Sequence, residues 1–301
     1  MKNKLTIIYN SYLNSSKIKN QLNLIKKASD YLKTNVYFIP TNKLEVLINT
    51  NKSFFLPSKK ILFLEKNIPV AKYLEKQNYH LYNNSYSINV CDNKALTHIE
   101  LIKEKSIKQP KTLIGPVTFN LNGSNKAISD FLTNVKNNFK FPLIIKEVYG
   151  SFGEQVYLIN NLKEFKNKFL ELKNKQIIVQ EFYKSFSGQS LRILVINNKI
   201  ISCIKQVNLN DFRSNLSQNS KAEIFNKLLP KNFEKSIDLI TKKLKLFYGG
   251  IDFIFDKNKK LVFCEANSNV QLANISQIFN KNFAIDLINE ILKDKKYYEK
   301  K

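Results

Sequence analysis

Short apolar runs alternate with amphipathic helical patterns along almost the whole chain, and a chain so patterned must bury sheet faces under helices in an α/β or α+β architecture. In the first 90 or so residues LTIIY (5 to 9), NVYFI (35 to 39) and ILFLE (61 to 65) read as strands. Residues 17 to 33 read as a helix with Ile18, Leu22, Ile25 and Ala28 on one face. Pro69 opens a helix at VAKYLEKQ, Pro being tolerated in a first turn, and YHLY (79 to 82) adds a short strand. This is the pattern of a small parallel α/β layer ending near Cys91. Asp92 then reads as the N-cap of a helix to about Lys105. A strand at TLIG, a helix near 124 to 136, the strand pair FPLIIKE (141 to 147) and EQVYLI (154 to 159), and a helix over 161 to 173 follow. From 176 strands dominate: QIIVQEF, then QSLRILVI and KIISCIKQV around a turn at Asn197 and Asn198. A helix near 231 to 246, the pair GGIDFIFD and LVFCEAN, and a helix over 281 to 293 complete the reading.

Charge narrows the function classes less than it first suggests. The formal net charge is +25, yet the lysines are spread over every segment and no RNA-binding or helix-turn-helix signature accompanies them, so specific nucleic-acid binding is not expected. The ending KDKKYYEKK reads as a solvated tail. No apolar stretch is long enough for a membrane span and the N-terminus lacks a signal-peptide pattern, which places the chain in the cytoplasm. Cys91, Cys203 and Cys264 lack metal or disulfide spacing and read as buried thiols. His98 reads as a packing or surface residue, since no carboxylate partner is evident.

Two scarce residue types carry more information. Of 49 basic residues only Arg192 and Arg213 are arginine, so these positions call for the planar, two-pronged donor that lysine lacks. On that reading a lysine at either position costs catalysis but barely changes stability. Five of the seven glycines, Gly150, Gly153, Gly188, Gly249 and Gly250, fall between 150 and 250. In IIKEVYGSFGEQVYL a lysine ends an apolar strand before two glycines, an arrangement that lets backbone bend over an anion while Lys146 supplies charge. It is not a Walker loop, and an ordinary hairpin would read the same way. Asp252 follows Gly249 and Gly250, and Glu265 and Asn267, two apart on an extended strand, project to one face. Three oxygen donors then converge, a set suited to magnesium.

The order Lys94 in CDNKALTHIEL, Lys146 in FPLIIKE, VYGSFGEQVYL, IIVQEF, SGQSLRILVI, DFRSN, GGIDFIF and EANSN resembles the ATP-grasp superfamily, and within it the RimK-type ligases, across roughly residues 90 to 270. The resemblance implies an ATP-grasp fold with a preATP-grasp α/β domain over 1–91, an N-terminal grasp lobe over 92–180 and a C-terminal lobe with the metal site over 181–301. It makes Lys94 and Lys146 phosphate-binding cations. Gly150, Ser151, Phe152 and Gly153 become a loop over the nucleotide, and the backbone of Gln180, Glu181 and Phe182 the adenine clamp. Ser190 stands where many relatives place an aspartate toward the ribose. Arg192 and Lys205 face the transferring phosphoryl group, Lys205 standing where an arginine is common. Arg213, Ser214 and Asn215 face the substrates, and Asp252, Glu265 and Asn267 hold Mg2+, with Mn2+ as an alternative.

The implied activity is a carboxylate–amine ligase: ATP phosphorylates a carboxylate, and an amine displaces phosphate from the acyl phosphate. Glutamate and a peptide or protein tail are the substrates the resemblance suggests, and a homo-oligomer is left open. VQLANIS lacks the Pro-Gly often found after EANSN, and SQNSKAE lacks the glycines that often follow DFRSN, so the acceptor side departs most from the family. Two rival classes remain: a nucleotide-binding regulatory or scaffold protein without turnover, against which the intact Asp252, Glu265 and Asn267 set speaks, and a basic RNA-associated protein.

Overall fold

The computed structural model describes residues 4–13, 15–50, 54–119, 121–150, 153–214 and 220–294. Its first sheet is parallel, ordered β2-β1-β3-β4, from β1 (Lys4–Tyr9), β2 (Asn35–Pro40), β3 (Lys60–Leu64) and β4 (His80–Tyr82). Helix α1 (Ser16–Tyr31) crosses from β1 to β2 and α2 (Ile68–Lys76) from β3 to β4. Each starts on a side-chain cap, Ser15 accepting from the Ile18 N–H and Asn67 from the Val70 N–H.

The next helix does not begin where Asp92 suggested. Asp92 is the last residue of α3 (Ser85–Asp92), and Asn93 caps α4 (Lys94–Glu100), its Oδ1 accepting from the Leu96 N–H at 2.9 Å. Lys94 therefore opens α4. A second, antiparallel sheet is ordered β5-β8-β6-β7, from β5 (Thr112–Ile114), β6 (Leu143–Glu147), β7 (Val156–Ile159) and β8 (Ile177–Glu181). Helices α5 (Asn125–Asn138) and α6 (Leu162–Glu171) cover it through Phe131, Val135, Phe165 and Phe169.

The third sheet is antiparallel, ordered β11-β10-β9-β12-β13, from β9 (Gln189–Ile196), β10 (Lys199–Val207), β11 (Lys221–Ile224), β12 (Tyr248–Phe255) and β13 (Leu261–Asn267). Asn197 and Asn198 both take positive φ, 49° and 63°, as a two-residue hairpin turn requires. Helix α7 (Phe233–Lys243) buries Ile237 and Ile240 on one face of this sheet. Helix α3, the short edge strand β11 and helix α8 (Leu272–Phe279) were absent from the sequence reading.

Helices α8 and α9 (Phe283–Lys293) return to the beginning of the chain. Leu272, Ile275, Phe283, Leu287 and Ile291 share one core with Leu5, Ile7, Ile25 and Leu62. The buried Lys60 ammonium donates to the carbonyls of Ile291, Leu292 and Asp294 at 2.8, 3.0 and 2.8 Å, closing the end of α9. Asn83 joins the first and third sheets, accepting from Phe247 and Tyr248 N–H and donating to the carbonyls of Tyr248 and Ser268. Of the cysteines only Cys91 is fully buried, with its thiol pushed up to about 12 by burial; Cys203 and Cys264 are half-buried, a correction to the sequence reading. No helix among the described residues is long and apolar enough to cross a membrane.

Candidate active site

Opposed residues of an antiparallel pair share a face, so the register of the third sheet sorts the candidate residues. Arg192 on β9 stands opposite Ile204 on β10 and Asp252 on β12, Asp252 stands opposite Glu265 on β13, and Ser190 opposite Gln206. Two residues along β13, Asn267 joins the same face, its amide donating to Glu265 at 3.2 Å and to Asp252 at 3.5 Å.

Lys205 does not belong to this set. It pairs with Leu191, a fully buried residue of the core under α7, and with Glu223 on β11, so its side chain lies on the opposite face of the sheet from Arg192 and Asp252. The assignment of Lys205 toward a phosphoryl group is therefore corrected: strand parity puts Gln206 on the site face. Gln206 is almost fully buried, accepts from the Ser190 hydroxyl at 3.2 Å, and its amide nitrogen has no partner among the described residues.

A cavity of about 120 Å³ lies between the second and third sheets. Its walls bring together Lys94, Lys146, Gly150, Gly153, Gln180, Glu181, Phe182, Ser190, Arg213, Ser214, Asp252 and Glu265, together with Gln206, Tyr183 and Cys264, which sequence reasoning did not single out. Ser151, Phe152 and Asn215 lie outside the described residues. Lys146, at the end of β6, reaches the Cys264 sulfur at 3.7 Å, and Lys94 donates to the Gly150 carbonyl at 2.8 Å. Gln180 turns its side chain to His98 and Thr112, each at 2.9 Å, and its backbone sits between Thr112 of β5 and Ile144 of β6. The Glu181 carboxylate accepts from the Lys111 N–H and the Tyr183 hydroxyl. Gly188 has a φ of +74°, and a Cβ there would lie 2.2 Å from the Asn208 carbonyl, so only glycine lets the 208–211 loop close on this wall.

Both arginine forks are directed at carboxylates of the chain itself. Arg192 grips Asp252 through two parallel bonds of 2.7 and 2.6 Å, largely out of solvent. Arg213 pairs with Asp211 and donates to the Gly153 carbonyl at 3.0 Å. The expectation that lysine at position 192 barely changes stability meets a contrary geometry: the guanidinium gives a buried carboxylate two hydrogen bonds, and an ammonium keeps the charge but not the fork. Burial opposes charge on Arg192, but Asp252 more than compensates and holds it above its ordinary range.

The two facing carboxylates are driven apart. Burial lifts Asp252 above the usual carboxylate range, with Arg192 opposing and Glu265 adding to the rise. Burial also pushes Glu265 upward, but Lys94, Lys146 and Arg192 together hold it below that range. Lys94 itself is pulled down by burial, against the attraction of Glu265. A charged carboxylate thus sits among three cations at one end of the cavity. Among the described residues no three His, Cys, Asp or Glu side chains are grouped to hold a metal ion; the oxygen donors here are two carboxylates and, with its amide turned over, Asn267. That incomplete, all-oxygen set fits Mg2+ or Mn2+, which fill their remaining positions with phosphate oxygens and water.

A larger cavity, about 330 Å³, adjoins the first on the other side of Glu265, which lines both. Arg192, Glu265 and Asn267 form its floor, and the ends of β1 and β3, α1 and α8 form its walls.

Three sheets, with a cleft lined by lysines and carboxylates between the two antiparallel ones, define an ATP-grasp fold. The crystal structure of a D-alanine–D-alanine ligase from Bacillus anthracis complexed with ATP superposes with a TM-score of 0.70 over 97% of this chain and 96% of the other, at 18% identity, a likeness of fold. A model of the RimK-like ATP-grasp domain matches residues 91–291, and the chain belongs to that family. It is 40% identical to "Uncharacterized protein MG012" of Mycoplasma genitalium, over 96% of this chain and 99% of the relative. It is also 30% identical to a "Probable alpha-L-glutamate ligase" of Vibrio vulnificus, over 71% of this chain and 68% of the relative.

Proposed function

We propose that the protein is an ATP-dependent carboxylate–amine ligase that makes an amide bond through an acyl phosphate, working in the cytoplasm, where ATP is supplied. The observation that carries this reading is Glu265, whose carboxylate lines both cavities, so that a nucleotide in one and a substrate in the other meet at one side chain. Residues 92–180 and 181–301 act as the two gripping lobes, and 1–91 closes the substrate side. Lys94 and Lys146 hold the nucleotide phosphates, which relieves the desolvation of two buried ammonium groups. The backbone from Gln180 to Phe182 holds the adenine, and Ser190 with Gln206 faces the sugar or phosphates. Asp252, Glu265 and Asn267 hold the metal, which neutralises phosphate charge when bound.

In the first step a carboxylate oxygen attacks the γ-phosphorus and ADP leaves; in the second an amine attacks the acyl carbon and expels phosphate. No covalent bond to the chain is required. The chain contributes alignment and fixed positive charge, Arg192 and the two lysines standing around the point where the phosphoryl group passes. The names of the ligase relatives make an amino acid, glutamate among them, the first substrate to try, with a peptide, protein or small molecule as acceptor.

The test is ADP release and product mass with ATP, Mg2+ and single amino acids, with and without cell extract, compared between the parent and Glu265→Gln. The reading expects loss of ADP formation in the variant with nucleotide still bound. Undiminished turnover by Glu265→Gln would overturn it.

A further inference from the structure

The larger cavity lies at the carboxyl ends of β1 and β3, which are neighbours in the sheet although their connections lead outward in opposite directions, β1 through α1 to β2 and β3 through α2 to β4. Such a switch point opens a crevice where open α/β sheets take ligands. Its volume, about 330 Å³, falls in the range of small-molecule sites.

The chemistry of the walls is uneven. Ile18 and Leu22 from α1, Ile204 from β10, and Val270 and Ile275 beside and within α8 make a continuous apolar side. The charged side offers little to an additional anion. Lys66 is paired with Asp92 and Arg192 with Asp252, Lys17 is exposed on the first turn of α1, and Glu65 adds an acidic residue to the lining. Gln21 lies behind the apolar side, 7% exposed, and its Oε1 ties α1 to α8 by accepting from the Ala273 N–H at 3.2 Å.

Resting on the ligase reading, we propose that this cavity selects a carboxylic acid with an apolar body, in preference to a dicarboxylate such as glutamate. The reacting carboxylate lies on the floor with Arg192, Glu265 and Asn267, and the body rises along α1 and α8.

Thermal-shift titrations of the full chain with leucine, phenylalanine, 4-methylpentanoate, glutamate and aspartate, each with and without ADP and Mg2+, test this. At least one of the three apolar acids is expected to bind about tenfold more tightly than either dicarboxylate, a preference on the scale of burying one or two methylenes. Leu22→Asn and Ile18→Gln, both where α1 lines the cavity, should each reduce that preference. Both variants should keep the parent's ATP affinity by calorimetry. Tighter binding of glutamate or aspartate, no stabilisation by any of the acids, or unchanged selectivity in both variants would overturn the proposal. The ligase reading fails separately, if ATP does not bind or if a bound acid never yields ADP.

Discussion

Splitting the Arg192 and Asp252 pair should cost stability before it costs anything else. The two bonds are short and parallel, and the side chains are 19% and 7% exposed, so each charge relies on the other rather than on water. Removing one partner from a buried pair costs about 3 to 5 kcal/mol, mostly because the remaining charge is stranded. Asp252→Asn should fall at the lower end, since Glu265 still attracts the guanidinium. Arg192→Leu should fall at the upper end at neutral pH, because it leaves two carboxylates facing each other. Its deficit should shrink as the pH is lowered, since Asp252, already lifted by burial, then takes up a proton in the folded chain before it does in the unfolded one. Arg192→Lys retains charge but loses the second prong, about 1.5 to 3 kcal/mol. The double variant Arg192→Leu with Asp252→Asn strands no full charge of the pair and should lie at least about 1 kcal/mol above the sum of the single losses. Urea titrations with chelator and without nucleotide measure all four proteins. Strict additivity, or a single variant as stable as the parent, would refute the argument.

Three further outcomes are expected. Lys205→Ala should leave the ATP dependence of turnover within about twofold, whereas Gln206→Leu should raise KM for ATP about three- to tenfold, the worth of one hydrogen bond, as steady-state kinetics will show. His98 bonds Gln109 at 2.7 Å and Gln180 at 2.9 Å, and burial pushes its imidazole down to about 4 from an ordinary 6.5. Its neutral form therefore favours folding fully above pH 6.5, and stability should fall by up to about 3 kcal/mol between pH 6.5 and 4, a slope that His98→Gln should remove from urea midpoints across that range. Lys60→Met should cost about 2 to 4 kcal/mol in the same assay, because three carbonyls at the end of α9 lose one charged donor.

Periodicity exposed most strands because their apolar runs are long and their turns explicit, as at Asn197 and Asn198. The edge strand β11 escaped because KAEI is short and mostly exposed, and its alternation rests on Ala222 and Ile224 alone. Helix α8 escaped because Gln271 supplies no side-chain cap, so nothing marks its start. Between α3 and α4 two good caps stand side by side, and only the choice of Asn93 over Asp92 shows where one helix stops. Scarcity picked out both arginines but said nothing about what they face, which depends on register between strands 60 residues apart in the case of Arg192 and Asp252. Lys205 was misassigned by motif position where strand parity would have pointed to Gln206. The bond from Ala273 to Gln21 was out of reach altogether, since 252 residues separate the two.

The closing of the first core by α9 has a consequence for synthesis. Lys60 waits for carbonyls 231 residues further on, and Leu5, Ile7 and Leu62 wait for the same helix. At roughly 5 to 20 residues per second, that interval is on the order of 10 to 50 s. During it the opening α/β layer stands outside the ribosome with one apolar face bare, while the two lobes that follow have their own cores and can close first. Maturation should thus run against the direction of translation at this one seam, and chaperone dependence should concentrate on nascent chains that have passed Tyr82 but have not yet reached Phe283.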